Sequence, residues 1–200
     1  MAILVTGGAG YIGSHMALEL IDAGEKVVVL DNLTTGFRWA VPDKATLVVG
    51  DFGDEDSVTE LLTRHDVESI IHFGAKIVVP ESVADPLGYY ENNTAKARTL
   101  LQCAVDCGVK HFIFSSTAAV YGDPERNPVT EDERLKPISP YGRSKLMVEW
   151  MLEDTAKATP LTYVALRYFN VAGADPQGRS GQSTPRATHS FAIACVIAPM

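Results

Sequence analysis

Cysteine is scarce in this chain: Cys103, Cys107 and Cys195 are the three among 200 residues. None stands in a CxxC pair or at a zinc-type spacing, so neither a disulfide framework nor a metal site is expected. Cys103 and Cys107 fall one helical turn apart and read as small core residues of a reduced, cytoplasmic protein. No run approaches the roughly eighteen apolar residues that suggest a membrane span. Positive charge is in deficit too: 17 Lys and Arg stand against 25 Asp and Glu, a formal net charge of −8. A nucleic-acid partner would ask for the reverse. The N-terminus lacks a basic region, and its apolar run reads as a strand, not a signal peptide. There is no internal repeat and no low-complexity segment. What remains, 46% hydrophobic and 21% charged residues, suits a globular chain with material for one good core.

The first thirty-two residues carry the plan. Ala2 to Val5 (AILV) are too few for a helix and enough for a buried strand. TGGAGYIG follows at 6–13, then SHMALELIDA at 14–23 keeps apolar residues at helical spacing. Gly24 stops that helix, and KVVVL at 26–30 reads as a second strand ending at Asp31. This is a βαβ unit. Its glycines can be read as Gly8-x-Gly10-x-x-Gly13 or as Gly7-x-x-Gly10-x-x-Gly13. In either frame one glycine makes the tight turn, one lets backbone approach a pyrophosphate, and Gly13 lets the helix lie close to the sheet. The helix N-terminus offers free N–H groups and the positive end of its dipole to phosphates. Asp31 stands where an acid would take the ribose hydroxyls of a dinucleotide.

The pattern then repeats its alternation. Residues 33–44 read as a loop or short helix. TLVV at 46–49 is a third strand, and Asp51 after it could contact adenine or cap the acidic helix 54–65. SIIHF at 69–73 is a fourth, with His72 read as a packed core histidine. Residues 74–85 read as a loop, and Asp85-Pro86 begin a helix to about Cys107, closed by Gly108. HFIFS at 111–115 is a fifth strand. Residues 122–140 hold four prolines and form a long loop of functional character. Ser139-Pro140 lead into a helix from Tyr141 to about Ala158, and TYVALR at 162–167 gives a sixth strand. Strands alternating with helices predict an α/β fold with a doubly wound parallel sheet.

Ligands in such sheets bind at the carboxyl ends of the strands. There the chain offers Ser115, Ser116 and Thr117, then Tyr141 and Lys145 one helical turn apart. A free tyrosine has a pKa of about 10. A nearby lysine ammonium and the charge of an oxidised nicotinamide favour the phenolate, letting Tyr141 accept a proton from an alcohol. Thr117 or a neighbouring serine would hold the same substrate oxygen. Taken alone, Tyr and Lys at this spacing also fit an ordinary surface pair.

These segments together resemble the extended short-chain dehydrogenase/reductase superfamily and, within it, the UDP-glucose (UDP-galactose) 4-epimerase family. The matching stretches are TGGAGYIGSH at 6–15, DNLTTG at 31–36, HFGAKIVVPESV at 72–83, PLGYYENN at 86–93, FSSTAAVYGDP at 114–124, SPYGRSKLMVE at 139–149 and LRYFNVAGADPQG at 166–178. The resemblance implies an NAD-binding Rossmann domain over residues 1–188 that also carries the catalytic residues. It implies NAD-dependent epimerisation at carbon 4 of a UDP-hexose by transient hydride transfer, and leaves room for a homodimer. Gly7, Gly10, Tyr11, Ile12, Gly13, Asp31, Asn32, Asp51, Phe52, Phe73, Lys76, Asn92, Tyr141, Lys145 and Phe169 would line NAD. Thr117, Tyr141 and Lys145 would be the catalytic group, and Thr117, Tyr141 and Asn170 would meet the substrate. No metal is implied. Relatives that eliminate water from the sugar carry Asp-Glu after the strand-five Thr, where this chain has Ala118 and Ala119. Family members also continue well beyond this length, into a smaller substrate domain. Residues 189–200 are therefore expected to be an atypical tail at the start of a missing substrate domain.

Overall fold

A computed structural model describes residues 1–183. The predicted tail at 189–200 and Cys195 lie outside the described residues. Six strands, β1 (Ala2–Thr6), β2 (Val27–Asp31), β3 (Thr46–Val49), β4 (Val67–His72), β5 (His111–Ser115) and β6 (Thr162–Leu166), form one parallel sheet in the order β3-β2-β1-β4-β5-β6. This is the doubly wound order expected, and its topological reversal falls between β1 and β4. All five residues of β2 are buried, whereas the edge strand β6 alternates exposed and half-buried positions. A strand flanked on both sides and covered on both faces reads as an unbroken apolar run, which is why VVVL shows no alternation.

Six helices flank the sheet: α1 (Tyr11–Asp22), α2 (Glu55–His65), α3 (Val79–Ala84), α4 (Pro86–Tyr90), α5 (Lys96–Asp106) and α6 (Pro140–Ala158). On one face Leu4, Val28, Ile70, Phe112 and Phe114 pack beneath Leu62 of α2, Leu100 of α5 and Leu152 of α6. On the other, Val5, Val27 and Val29 pack against Ala17 of α1. Towards β6, Val164 and Leu166 remain 52% and 37% exposed.

Helix starts follow side-chain chemistry. Asp54 caps α2 by accepting from Ser57 N at 3.2 Å, with Glu55 and Asp56 in the first turn and Arg64 and His65 in the last, as the helix dipole favours. Ser139 caps α6 by accepting from Gly142 N at 3.1 Å, with Pro140 just inside. Asp51 is not the cap of α2, which closes one of its two readings. Two boundaries also differ from expectation. The loop predicted over 74–85 contains α3, and the helix predicted from residue 86 runs through a five-residue π segment, Glu91–Ala95, between α4 and α5.

The turn from β1 into α1 leaves no room for side chains at two of its glycines. Gly7 has φ +68°, and a Cβ there would lie 2.7 Å from Gly74 N; one at Gly13 would lie 2.2 Å from Gly7 O. Both neighbours are backbone and cannot rotate away. Gly13→Ala should therefore lower the stability of the chain by about 3 kcal/mol or more, at or beyond the upper range of overpacking. Denaturant unfolding will check this; a loss near the 1 kcal/mol typical of surface propensity effects would mean that α1 can stand off from the turn at little cost.

Candidate active site

The site is built where the strand order reverses. α1 begins at Gly10, which supplies no side-chain cap, and its first turn holds no acidic residue. α2 and α6 have capping side chains, and α5, which lacks one, continues directly from the π segment. The N–H groups at the start of α1 are thus left for an anion, and a diphosphate fits the glycine cradle beside them. Asp31, 8% exposed at the end of β2, accepts from Ala9 N at 3.0 Å and Leu33 N at 2.8 Å. It therefore fastens the glycine turn to β2 while keeping lone pairs free for ribose hydroxyls. Asn32 faces outward and accepts from Thr34 N at 3.1 Å and Thr34 Oγ1 at 2.7 Å. Ile12 is half-buried on α1. The Tyr11 hydroxyl donates to Gly173 O at 2.5 Å, so its side chain ties the segment after β6 back to α1.

Further along the edge, Phe52 is buried against His72, with ring centroids 4.8 Å apart. Phe73 is half-buried and packs on the α1 side of the sheet. Asp51 pairs with Lys96 and accepts from Gly53 N at 2.8 Å. Burial raises its carboxyl, but the Lys96 ammonium and the Gly53 N–H prevail and hold it below the usual range. His72 is a core histidine, as expected: it hydrogen-bonds Thr6 Oγ1 at 2.6 Å, and burial pushes it down to about 3, so it is neutral.

Lys76 and Asn92 are arranged less directly. Lys76 is exposed, with Nζ 3.5 Å from Asp85 Oδ2. Its backbone is gripped by Asn93, whose Oδ1 accepts from Lys76 N and whose Nδ2 donates to Lys76 O, both at 2.9 Å. Asn93 Nδ2 also reaches Ser144 Oγ on α6 at 3.2 Å, while Asn92 Nδ2 donates to Asn93 Oδ1 at 3.0 Å. The π segment turns the two asparagines inward together, and such bulges concentrate at functional sites. Asn93 is a buried polar group beside the candidate site that the sequence patterns do not single out; its only signal is the polar pair inside a helix.

The catalytic candidates do converge. Thr117, 8% exposed, follows β5 and caps a short turn by accepting from Ala119 N at 3.1 Å. Burial pushes the Tyr141 phenol above its ordinary value, and a hydrogen bond from the Thr117 side chain pulls the other way. Lys145 is 2% exposed, donates from Nζ to Ser115 O at 2.8 Å and lies 4.9 Å from the Phe114 ring centre. Burial alone pushes it down to about 7. Lys145 was expected to depress Tyr141 directly; in this structure burial governs both groups and Thr117 supplies the counterweight. Phe169, 81% exposed, and Asn170, also exposed, follow Tyr168 beyond the end of β6. A recess of about 360 Å³ lies elsewhere, between α1 and residues 39–44, and contains none of these groups. No grouping of potential metal ligands occurs among the described residues, and none of their helices is long and apolar enough to cross a membrane.

The sequence matches the pattern of the NAD dependent epimerase/dehydratase family over residues 3–195. The chain belongs to that family. As an epimerase/dehydratase family member it is 53% identical over 193 residues to a UDP-glucose 4-epimerase of Azospirillum brasilense, covering 96% of this chain and 56% of that protein. It is 48% identical to one from Lactobacillus helveticus, covering 94% and 57%. Its fold matches the crystal structure of UDP-glucose 4-epimerase from Brucella ovis in complex with NAD, with a TM-score of 0.91, 45% identity and coverage of 94% and 57%. The chain thus spans somewhat over half the length of these relatives.

The buried Lys145 has a consequence for stability. Its pKa is about 10.4 when unfolded and about 7 when folded. Between those values the unfolded chain binds the extra proton, so this group makes stability rise with pH from about 7 to about 10; below pH 7 the burial penalty acts in full. Lys145→Met should be more stable than the parent at pH 6 to 7, and its stability should change less between pH 7 and 10. Thermal unfolding at several pH values checks both; parallel pH curves for the two proteins would show that the ammonium is solvated.

Proposed function

We propose that this chain is the cofactor-binding and catalytic part of an NAD-dependent UDP-hexose 4-epimerase. The observation that carries this reading is the buried Lys145, one turn along α6 from Tyr141 and bonded to Ser115 O at the end of β5 just before Thr117, on the same sheet edge as the uncapped start of α1. NAD, when bound, supplies the hydride acceptor and donor. The first-turn N–H groups of α1 would hold its pyrophosphate and Asp31 its adenosine ribose, with Phe52, Phe73, Lys76 and Asn92 farther along the edge.

Tyr141 Oη would take the proton from the hexose 4-hydroxyl and return it after the sugar has presented its other face. Thr117 Oγ1 would hold the same oxygen. A buried phenol does not ionise readily, so the arrival of a positive nicotinamide and a protonated Lys145 would be what brings it into range. Lys145, poised near neutrality, can adopt either charge state at working pH. Ala118 is buried and Ala119 half-buried after Thr117, and neither titrates. That favours epimerisation over the water elimination of a 4,6-dehydratase, which needs an additional acid and base beside the sugar. The uridine and distal hydroxyls would contact parts of the protein beyond the span described, as ligands commonly do between domains.

Binding should discriminate between cofactors. Asp31 would accept from a free 2′-hydroxyl and repel a 2′-phosphate, so NAD should bind more tightly than NADP. Asp31→Ala should weaken that preference and also lower stability, because Ala9 N and Leu33 N lose their acceptor. Fluorescence titration with both cofactors decides; tighter NADP binding would remove the role given to Asp31.

Catalysis provides the direct test. In protein extended to the full length of the relatives, Tyr141→Phe should retain NAD and lose about 100-fold or more of its UDP-galactose turnover, the scale of a general base. Near-normal turnover would exclude Tyr141 as the base. A 4-keto-6-deoxy product in mass spectra would replace epimerisation by dehydration. The 200-residue chain alone should bind NAD and turn over UDP-galactose well below about 1 per second, the low end of ordinary enzymes; NAD binding without turnover in the extended protein would instead favour a non-catalytic module.

A further inference from the structure

One buried carboxylate takes no part in the chemistry above. Glu149 lies on α6 one turn beyond Lys145 and is 5% exposed. Arg167, just past the end of β6, grips it from two directions: Nε donates to Oε1 and Oε2 at 3.1 Å each, and Nη2 to Oε2 at 2.7 Å. Ser116 Oγ donates to the same carboxylate at Oε1. The remaining Arg167 nitrogen, Nη1, donates to Tyr121 Oη at 3.1 Å and Glu131 O at 3.4 Å, and the guanidinium lies 5.2 Å from the Tyr121 ring centre. Hydrogen bonds to Glu149 first, with Tyr121 adding, hold Arg167 firmly in its charged form.

The elements joined are those that bear the catalytic group. Ser116 immediately precedes Thr117, and Glu149 shares α6 with Tyr141 and Lys145. Arg167 precedes Tyr168, whose carbonyl accepts from Ala118 N at 3.0 Å and whose hydroxyl meets Ser115 Oγ. Thr117 is therefore pinned on both sides, through Ser116 to Glu149 and through Ala118 to Tyr168. A bidentate arginine–carboxylate pair fixes both distance and orientation, which a single hydrogen bond does not.

We propose that the Glu149–Arg167 pair is a positioning clamp: acting through Ser116 and Tyr168, it holds Thr117 against Tyr141. The proposal rests on the reading of Tyr141 as the proton acceptor. Neither clamp residue touches substrate; they set where the Thr117 hydroxyl stands. This differs from a purely structural ion pair in what it fixes. A buried pair can often be replaced by apolar residues of similar volume without loss of stability, so fold and positioning can be separated.

The test uses Glu149→Leu/Arg167→Met in the NAD-loaded chain, with Glu149→Gln as a second variant that keeps the side-chain shape. Tyr141 ionisation is read from tyrosinate absorbance, with the corresponding Tyr141→Phe protein subtracted to remove the other tyrosines. Tyr168 and Tyr89 also face this phenol, and the subtraction leaves both in place. Thr117→Ala serves as the reference for a lost contact and should raise the Tyr141 midpoint by about half a pH unit or more, the scale of one hydrogen bond. The clamp variants should reproduce that rise with NAD affinity within about threefold, a difference below 1 kcal/mol. In the extended protein they should lower kcat about tenfold with KM little changed, as expected for misplacement of a reacting group. If Thr117→Ala moves the midpoint and both clamp variants titrate like the parent, the clamp is refuted while the site reading stands. If Thr117→Ala moves nothing, the Thr117–Tyr141 contact itself fails and takes the clamp with it.

Discussion

The approach of α1 to the turn before it is the constraint on which the rest depends. With no Cβ at Gly13, the helix can lie against Gly7 O and its first-turn N–H groups can face the crevice between β1 and β4. With a left-handed residue at Gly7, β1 can end and turn without colliding with Gly74 on the neighbouring strand's extension. The same turn is fastened to β2 through Ala9 N and Asp31. A side chain at either glycine would move the helix, open the crevice and misalign the acid. The parallel sheet then does the remaining placement, because every strand delivers its carboxyl end to that one edge.

Charge is buried in two different ways along the edge. Glu149 and Arg167 satisfy one another and recruit Ser116 and Tyr121, so the pair removes most of its own desolvation cost through geometry. Lys145 has one carbonyl and an aromatic face, and no carboxylate partner among the described residues. The difference from about 10.4 to about 7 corresponds to a penalty on the order of 5 kcal/mol when it is charged, a large fraction of the usual stability of a domain. A fold selected for stability alone would place an apolar residue there. Its presence beside the candidate site is intelligible as function, in keeping with perturbed groups gathering at active sites.

Much of this architecture is legible in the amino-acid sequence. The strand–glycine–helix–strand unit, the six strands and the Tyr141–Lys145 spacing are local patterns, and local patterns survive into the fold. Asp51 shows where locality fails: from sequence it could cap α2 or face a ligand, and only the position of Lys96 after β4 shows what holds it. Asn93 and Glu149 are hidden for the same reason. Each is a polar residue in a helix, and whether such a residue faces water or a buried partner depends on elements some twenty to fifty residues away. The π segment is hidden because its hydrogen-bond shift leaves the helical composition unchanged.

The titration directions make one more point about how the site works. In the chain by itself burial favours a neutral Tyr141 and a Lys145 balanced near pH 7. The phenol therefore idles in its neutral form, which does not remove a proton. A positive charge brought beside them would favour the phenolate, and a negative diphosphate at α1 would favour the ammonium by a weaker, longer-range attraction. In the proposed reaction, binding and activation would be coupled through the same buried edge: the low dielectric that suppresses charge in the free chain also amplifies whatever charge a ligand brings. The Thr117 side chain is the one influence that lowers Tyr141 without waiting on a ligand. The precision with which β5, β6 and α6 hold that hydroxyl then determines how far the bound charges must carry the phenol.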